Sequence, residues 1–303
     1  MAELNRYRYV DEGRTHVHQL WSVLPETGEE AWQPLIGTST VAKESVNKGD
    51  GLMMWYADLA ALDALGRAMP VETYKNLLVD YDIAELIQDW KEKSAAKKKL
   101  DVKYPDFAES RKAAIRKRDG SAKTGTERHT TLEDYVKGCI SENGGKPRQM
   151  ADSGEIQAFV DWCVEHVDHF VFTEGHCFSE KLWLGGIADI GMILKNDGEV
   201  LCKVNGVTTL RVGQRLIGDH KSSKNAFFDQ FIQGTLYDMQ LAENGILDRN
   251  GNKIGDWALA DGIVIFPFRS DPFTPEFRWN IGEYRSVAEG VVRTYKLKEY
   301  NHV

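Results

Sequence analysis

The chain has 303 residues, enough to bury a full core as one elaborated domain or two small ones. Its apolar share of 42% is that expected of a soluble globular protein, no apolar run reaches the length of a membrane span, and residues 1–25 lack a signal-peptide pattern. The net charge of -8 argues against a nucleic-acid partner only if the charge is spread evenly, and it is not.

Residues 6–23 alternate apolar and polar groups around Asp11-Glu-Gly-Arg14, which predicts a β-hairpin. His16 and His18, two apart on it, are expected to stack on its surface. Gly37-Thr-Ser-Thr40 opens a helical stretch, and a break at Gly49-Asp-Gly51 precedes a longer helix to about Ala68. Pro70 starts another helix. Residues 91–128 then hold thirteen Lys or Arg against six acids, so this segment carries about +7 and the remainder about -15. A charge run is usually a solvated helical face, but one this basic is also a candidate nucleic-acid contact. A helix is expected from Thr126 to about Ile140, with His129 near its start. A Gly/Pro loop at 144–147 follows, and an amphipathic helix from about Ser153 to Val167.

Beyond this the period changes from helical to extended. Phe170–Glu174, Leu182–Leu194 and Gln214–Asp219 read as three strands, with an inserted hairpin over 196–213. A helix over 225–243, a strand near Gly262–Phe268 and a last helix from about Ile281 to Glu299 complete the chain. The expected fold class is α/β: a mixed central sheet flanked by helices after a helical N-terminal half. The expected division is a hairpin and helical, partly basic region over 1–124 and a core over 125–303. The aromatics of 264–279 (Phe266, Phe268, Phe273, Phe277, Trp279) are expected to pack in the core rather than stack on bases. Cys139, Cys163, Cys177 and Cys202 form no C-x-x-C pair and read as free, mostly buried thiols of a reducing compartment.

One segment concentrates the chemistry. Asp219 and Lys221 lie two apart at the end of an apolar run, so on a strand they point to the same side. Gln233 and Tyr237, four apart in a helical pattern, share one helix face. Asp189 sits in the apolar run Leu184–Ile190, where a charge is costly unless paired or bound to metal. Adjacent strands would bring Asp189 and Asp219 together, and hard oxygen ligands of this kind suit Mg²⁺ or Mn²⁺. Lys221 could orient or deprotonate a water, or neutralise charge on a phosphate. Taken singly, Asp219 and Lys221 could equally be a surface ion pair.

Gly186-Ile-Ala-Asp189, Asp219-His-Lys221 and Gln233-x-x-x-Tyr237 resemble the signature of the PD-(D/E)XK nuclease superfamily, in its RecB-like branch of Cas4-like and bacteriophage exonucleases. Gly125-Thr-Glu-Arg-His129 is similar to that branch's Gly-Thr-x-x-His motif. The specific likeness covers about residues 125–240, and Gly37–Lys43 is only loosely similar to the stretch that opens the phage proteins. The resemblance implies a PD-(D/E)XK core with His129, Asp189 and Asp219 on a Mg²⁺ or Mn²⁺ ion beside the backbone carbonyl of His220. It implies Lys221 as the catalytic lysine and Gln233 and Tyr237 as groups that place the lysine or the DNA. Glu174 fits a recurring acidic position at the edge of such sites. Ser222 and Lys224, with Arg116, Lys117 and Arg118 of the basic segment, are expected to hold the nucleic acid.

No cysteine follows Cys202, so the iron–sulfur cluster of Cas4 is not expected, and Gly144-Gly-Lys-Pro147 is not a P-loop, so no nucleotide cofactor is expected either. His166 and His169 do not follow the order of a zinc helix. The implied activity is metal-dependent exonucleolytic hydrolysis of single- or double-stranded DNA, in phage-type recombination or processing, in a bacterial or infected-host cytoplasm. A recombinase, a single-strand-binding protein or a helicase are the partners it suggests. An endonuclease with the same site, or a catalytically silent DNA-binding protein on the same scaffold, remain alternatives.

Overall fold

A computed structural model describes residues 6–12, 15–24, 27–45, 113–150, 154–204, 206–279 and 281–300. The chain divides into two units, residues 1–46 with 125–303, and residues 47–124. The helices expected between residues 46 and 90, and the basic run 91–112, lie outside the described residues. Residues 6–45 thus belong to the same unit as residues 125–303.

The predicted hairpin is β1 (Tyr7–Glu12) and β2 (Thr15–Val23), extended by β3 (Glu30–Pro34) into a three-stranded antiparallel sheet. Tyr7 and Leu20 of this sheet, with Leu35 just after it, pack on Phe178 and Leu247. His18 belongs to that buried side, which corrects its expected place on the surface. The Tyr7 hydroxyl lies 2.5 Å from His18 Nδ1 and 3.3 Å from His176 Nδ1, and the Tyr7 ring stacks on both His18 and Phe178. His16 does lie outside, stacked on Tyr9 and 3.3 Å from Asp11.

The main sheet is mixed, as expected. Its order is β11 (Lys253–Gly255), β10 (Ile246–Leu247), β5 (Val167–Ser179), β6 (Leu184–Leu194), β9 (Arg215–Lys221), β12 (Gly262–Pro267), β13 (Glu276–Arg278). All contacts are antiparallel except β9 with β12. A two-residue strand, β4 (Ile36–Gly37), adds parallel to the first residues of β6. The inserted hairpin is β7 (Gly198–Cys202) with β8 (Gly206–Leu210).

Helices cover both faces. On one, α2 (Ala113–Asn143) contributes Leu132, Tyr135, Val136 and Cys139, and α3 (Gln157–His166) contributes Phe159, Val160, Trp162 and Cys163, to a core with Met192, Leu216 and Phe266. On the other, Phe231, Tyr237 and Leu241 of α4 (Phe228–Asn244) pack on Phe172, Ile217 and Ile265. The short α1 (Thr38–Ala42) and the last helix, α5 (Ile281–Tyr300), close over α4 through Val41, Ile232, Leu236, Ala288 and Val292. Phe266 and Phe277 are wholly buried, so these aromatics serve the core as expected. All four cysteines are buried and unpaired. No helix among the described residues is long and apolar enough to cross a membrane.

Asp238 of α4 ties this face together. Its buried carboxylate accepts from Trp257 Nε1 (2.9 Å), the Ala260 N–H (2.7 Å) and Arg285 Nη2 (2.8 Å). Removing it leaves two buried donors and a guanidinium without their acceptor. Asp238→Ala is therefore expected to lower stability by about 3 kcal/mol in urea unfolding. An unchanged midpoint would show that water replaces the carboxylate.

Candidate metal centre

Register puts three acids in one row. Glu174 falls between the β5–β6 pairs Thr173↔Ile190 and Gly175↔Ala188, so it lies opposite Asp189. Asp219 follows Gly218, which pairs with Ile190, so it lies on the other side of Asp189. Here β6 and β9 stop pairing, and the His220 N–H, past the last ladder bond, donates to Asp189 Oδ2 at 3.0 Å. The carboxylate thus satisfies a backbone donor that would otherwise be orphaned. The Asp189 and Asp219 carboxyls act on each other's ionisation, Asp189 raising the pKa of Asp219.

Lys221, the last residue of β9, sets Nζ 2.7 Å from the Asp219 carboxylate. The strand parity seen in the sequence is realised as an ion pair. His129 comes from α2, with Nε2 3.5 Å from Asp189 Oδ2 and 3.6 Å from Glu174 Oε1. It does not stand at a helix start as expected: α2 begins at Ala113 and runs through Gly120 and Gly125. Each glycine costs a helix about 1 kcal/mol without breaking it. Glu133, one turn beyond His129, completes a second cluster with His129 and Glu174. The sequence carries that signal as a His-x-x-x-Glu spacing on one helix face.

His220 enters by its side chain as well as its backbone. Nδ1 lies 3.9 Å from Asp189 Oδ2, and the ring is enclosed by Phe159, Phe266 and Phe268. Glu174 stands on strained backbone, with φ of 51°, a left-handed conformation rare outside glycine.

Charge is divided unevenly. Burial pushes the Asp219 carboxyl up, with Asp189 adding to the rise and Lys221 opposing it. Burial also works against ionised Asp189, but His129, Lys221 and His220 outweigh it and hold that carboxyl far below the usual range. Burial and the neighbouring Asp189 raise Glu174 to about 7, and contact with Asp189 raises His129 to about 9. Burial lowers His220 to about 4. Acids this close cannot all be ionised without added positive charge.

The same acids fit a divalent cation. Glu174 Oε1 and Asp219 Oδ2 are buried and accept no hydrogen bond among the described residues; Asp219 Oδ2 lies 2.7 Å from Lys221 Nζ and Glu174 Oε1 3.6 Å from His129 Nε2. With Asp189 and His129 they make an oxygen-rich set with one imidazole, suited to Mg²⁺ or Mn²⁺. His129, Asp189 and His220, and His129, Glu133 and Glu174, each bring three ligand atoms within 4.8 Å of one another.

Gln233 and Tyr237 do share a face of α4, and Gln233 Nε2 donates to the Tyr237 hydroxyl at 2.8 Å. Burial, with Asp189 and Asp219 nearby, pushes the phenol well above its ordinary pKa. Gly186 makes room for this pair: a Cβ there would lie 2.5 Å from Tyr237 Cε1 and 2.9 Å from Thr38 Oγ1. Thr38 donates to the Gly185 carbonyl and accepts from Gln240 Nε2, which anchors α1 beside the site.

Ser222 and Lys224 are exposed on the loop after β9. Arg116, Lys117 and Arg118 fall in the first turns of α2, and their side chains lie outside the described part. His166 and His169 join no ligand cluster among the described residues; His166 makes a tilted contact with Trp162 and His169 pairs with Asp168. No protein-family model matches this sequence, and no curated protein matches it.

Proposed function

We propose that this chain is a metal-dependent nuclease with a PD-(D/E)XK core, and that it hydrolyses DNA exonucleolytically. The observation that carries the reading is the row Glu174–Asp189–Asp219 across three adjacent strands, with Lys221 on Asp219 and His129 on Asp189. Glu174, Asp189, Asp219 and His129 would hold the cation. When bound, a divalent cation would polarise the scissile phosphate and favour ionisation of the attacking water.

The chain's own groups do the rest. Lys221, held as an ammonium by Asp219, offers positive charge to the phosphate as negative charge develops there. His129 and the His220 N–H fix the Asp189 carboxylate in place. Tyr237 and Gln233 back the site from α4 and keep it shaped.

Two measurements test this. Linear and covalently circular DNA, single- and double-stranded, incubated with Mn²⁺, Mg²⁺ or chelator, report the activity directly. Metal-dependent loss of linear DNA alone is expected; cleavage of circles would make the enzyme an endonuclease, and no cleavage would leave a silent scaffold. Metal binding is read independently by thermal unfolding. A hundredfold excess of Mn²⁺ over its Kd is expected to stabilise the protein by about 2.7 kcal/mol, raising Tm by several degrees. Asp189→Ala is expected to abolish the rise, and a rise that survives it would place the cation elsewhere.

A further inference from the structure

The loop that leaves Lys221 carries an exposed aromatic with no structural task. Phe227 is the N-cap of α4, a position that favours Ser, Thr, Asp or Asn because their side chains accept backbone N–H bonds. A phenyl ring has no acceptor to offer. Its backbone is nevertheless fixed: the Phe227 N–H donates to Gln230 Oε1 at 2.9 Å, and the Gln230 N–H donates to the Phe227 carbonyl at 3.1 Å. The ring is left 52% exposed, and its neighbour Phe228 43%.

The surroundings are basic in a chain of net charge -8. Lys224 is exposed on the same loop. Lys203, at the tip between β7 and β8, hydrogen-bonds Asn225 Oδ1 of the loop. Arg269, also exposed, donates its backbone N–H to the Ser223 carbonyl at 3.1 Å. None of these three cations has an ion-pair partner among the described residues. An exposed ring on a fixed backbone position, on the loop that Lys203 and Arg269 contact at Asn225 and Ser223 and six residues from Lys221, matches what an unpaired nucleic-acid strand offers: bases with π-faces and regularly spaced phosphates.

We infer that Phe227 stacks on a base of a single DNA strand entering the site, while Lys203, Lys224 and Arg269 hold that strand's phosphates. This rests on the nuclease reading for the strand's direction towards Lys221, but not for the stacking itself. The substrate at the point of hydrolysis is therefore single-stranded, and a duplex must fray before it reaches Lys221.

The test is fluorescence anisotropy in chelator, where no hydrolysis occurs, with a labelled oligothymidine and a labelled abasic strand of equal length. The wild type is expected to prefer the base-bearing strand by about tenfold. Phe227→Ala is expected to lose that preference and keep its affinity for the abasic strand; Phe227→Trp is expected to keep the preference. Equal binding of both strands by the wild type, or an unchanged preference in Phe227→Ala, overturns the inference. Mn²⁺ added to the wild type then examines the nuclease reading separately. Stacking without cleavage would remove that reading and leave the binding site; cleavage without stacking would do the reverse.

Discussion

Lys221→Ala is expected to lower the rate of DNA hydrolysis with Mn²⁺ by about 10³-fold, in the range of losses seen when one transition-state charge partner is removed. The size of the effect follows from how few cations the site holds. Lys221 Nζ is 2.7 Å from Asp219 and sits at the end of β9, paired in register with Pro267 of β12. The fold is expected to survive, because Asp219 without its ammonium can take up a proton instead of remaining a buried anion. Circular dichroism and thermal unfolding check that point beside the rate. Wild-type turnover in a folded Lys221→Ala protein would remove Lys221 from the chemistry. Lys221→Arg is not expected to rescue, since a planar fork does not reproduce a compact ammonium.

How much of this was legible in the chain depended on whether a feature was local. Asp219 and Lys221 share a side because strands have a period of two, and Gln233 and Tyr237 meet because helices bring residues four apart together. Both relations are written within five residues and both are present. The row of acids needed register as well: adjacent strands were enough to expect Asp189 beside Asp219, but no local pattern placed Glu174 opposite Asp189, which only the β5–β6 register shows. What the sequence hid was long-range. Thr38 reaches the Gly185 carbonyl across 147 residues through a strand only two residues long. The extent of α2 was hidden by Gly120 and Gly125, which read as breakers but are carried within one long helix. Chain separation likewise hid the meeting of His18 with His176, since nothing local to either residue says that a hairpin packs on β5.

That meeting has the second large consequence, for acid stability. Burial lowers both His18 and His176 from 6.5 to about 4, with His176 and His16 adding to the effect on His18, and Arg249 adding to it on His176 while Asp248 opposes. Above pH 6.5 both imidazoles are neutral in the folded and unfolded chain, and the full stability is present. Between pH 6.5 and 4 the unfolded chain binds protons that the folded one refuses, so stability falls as pH falls and levels off below about 4. Each histidine is expected to contribute on the order of 2–3 kcal/mol to this loss. His18→Gln keeps a polar partner for the Tyr7 hydroxyl but does not titrate. The difference in unfolding free energy between pH 7 and pH 4, from urea titrations, is therefore expected to shrink by about 2 kcal/mol in His18→Gln. Paired with His176→Gln, it should shrink by nearly twice that. An undiminished loss in the double variant would assign the acid sensitivity to the carboxylates instead, since buried imidazoles that charge freely in the fold cannot be what the unfolded chain gains by.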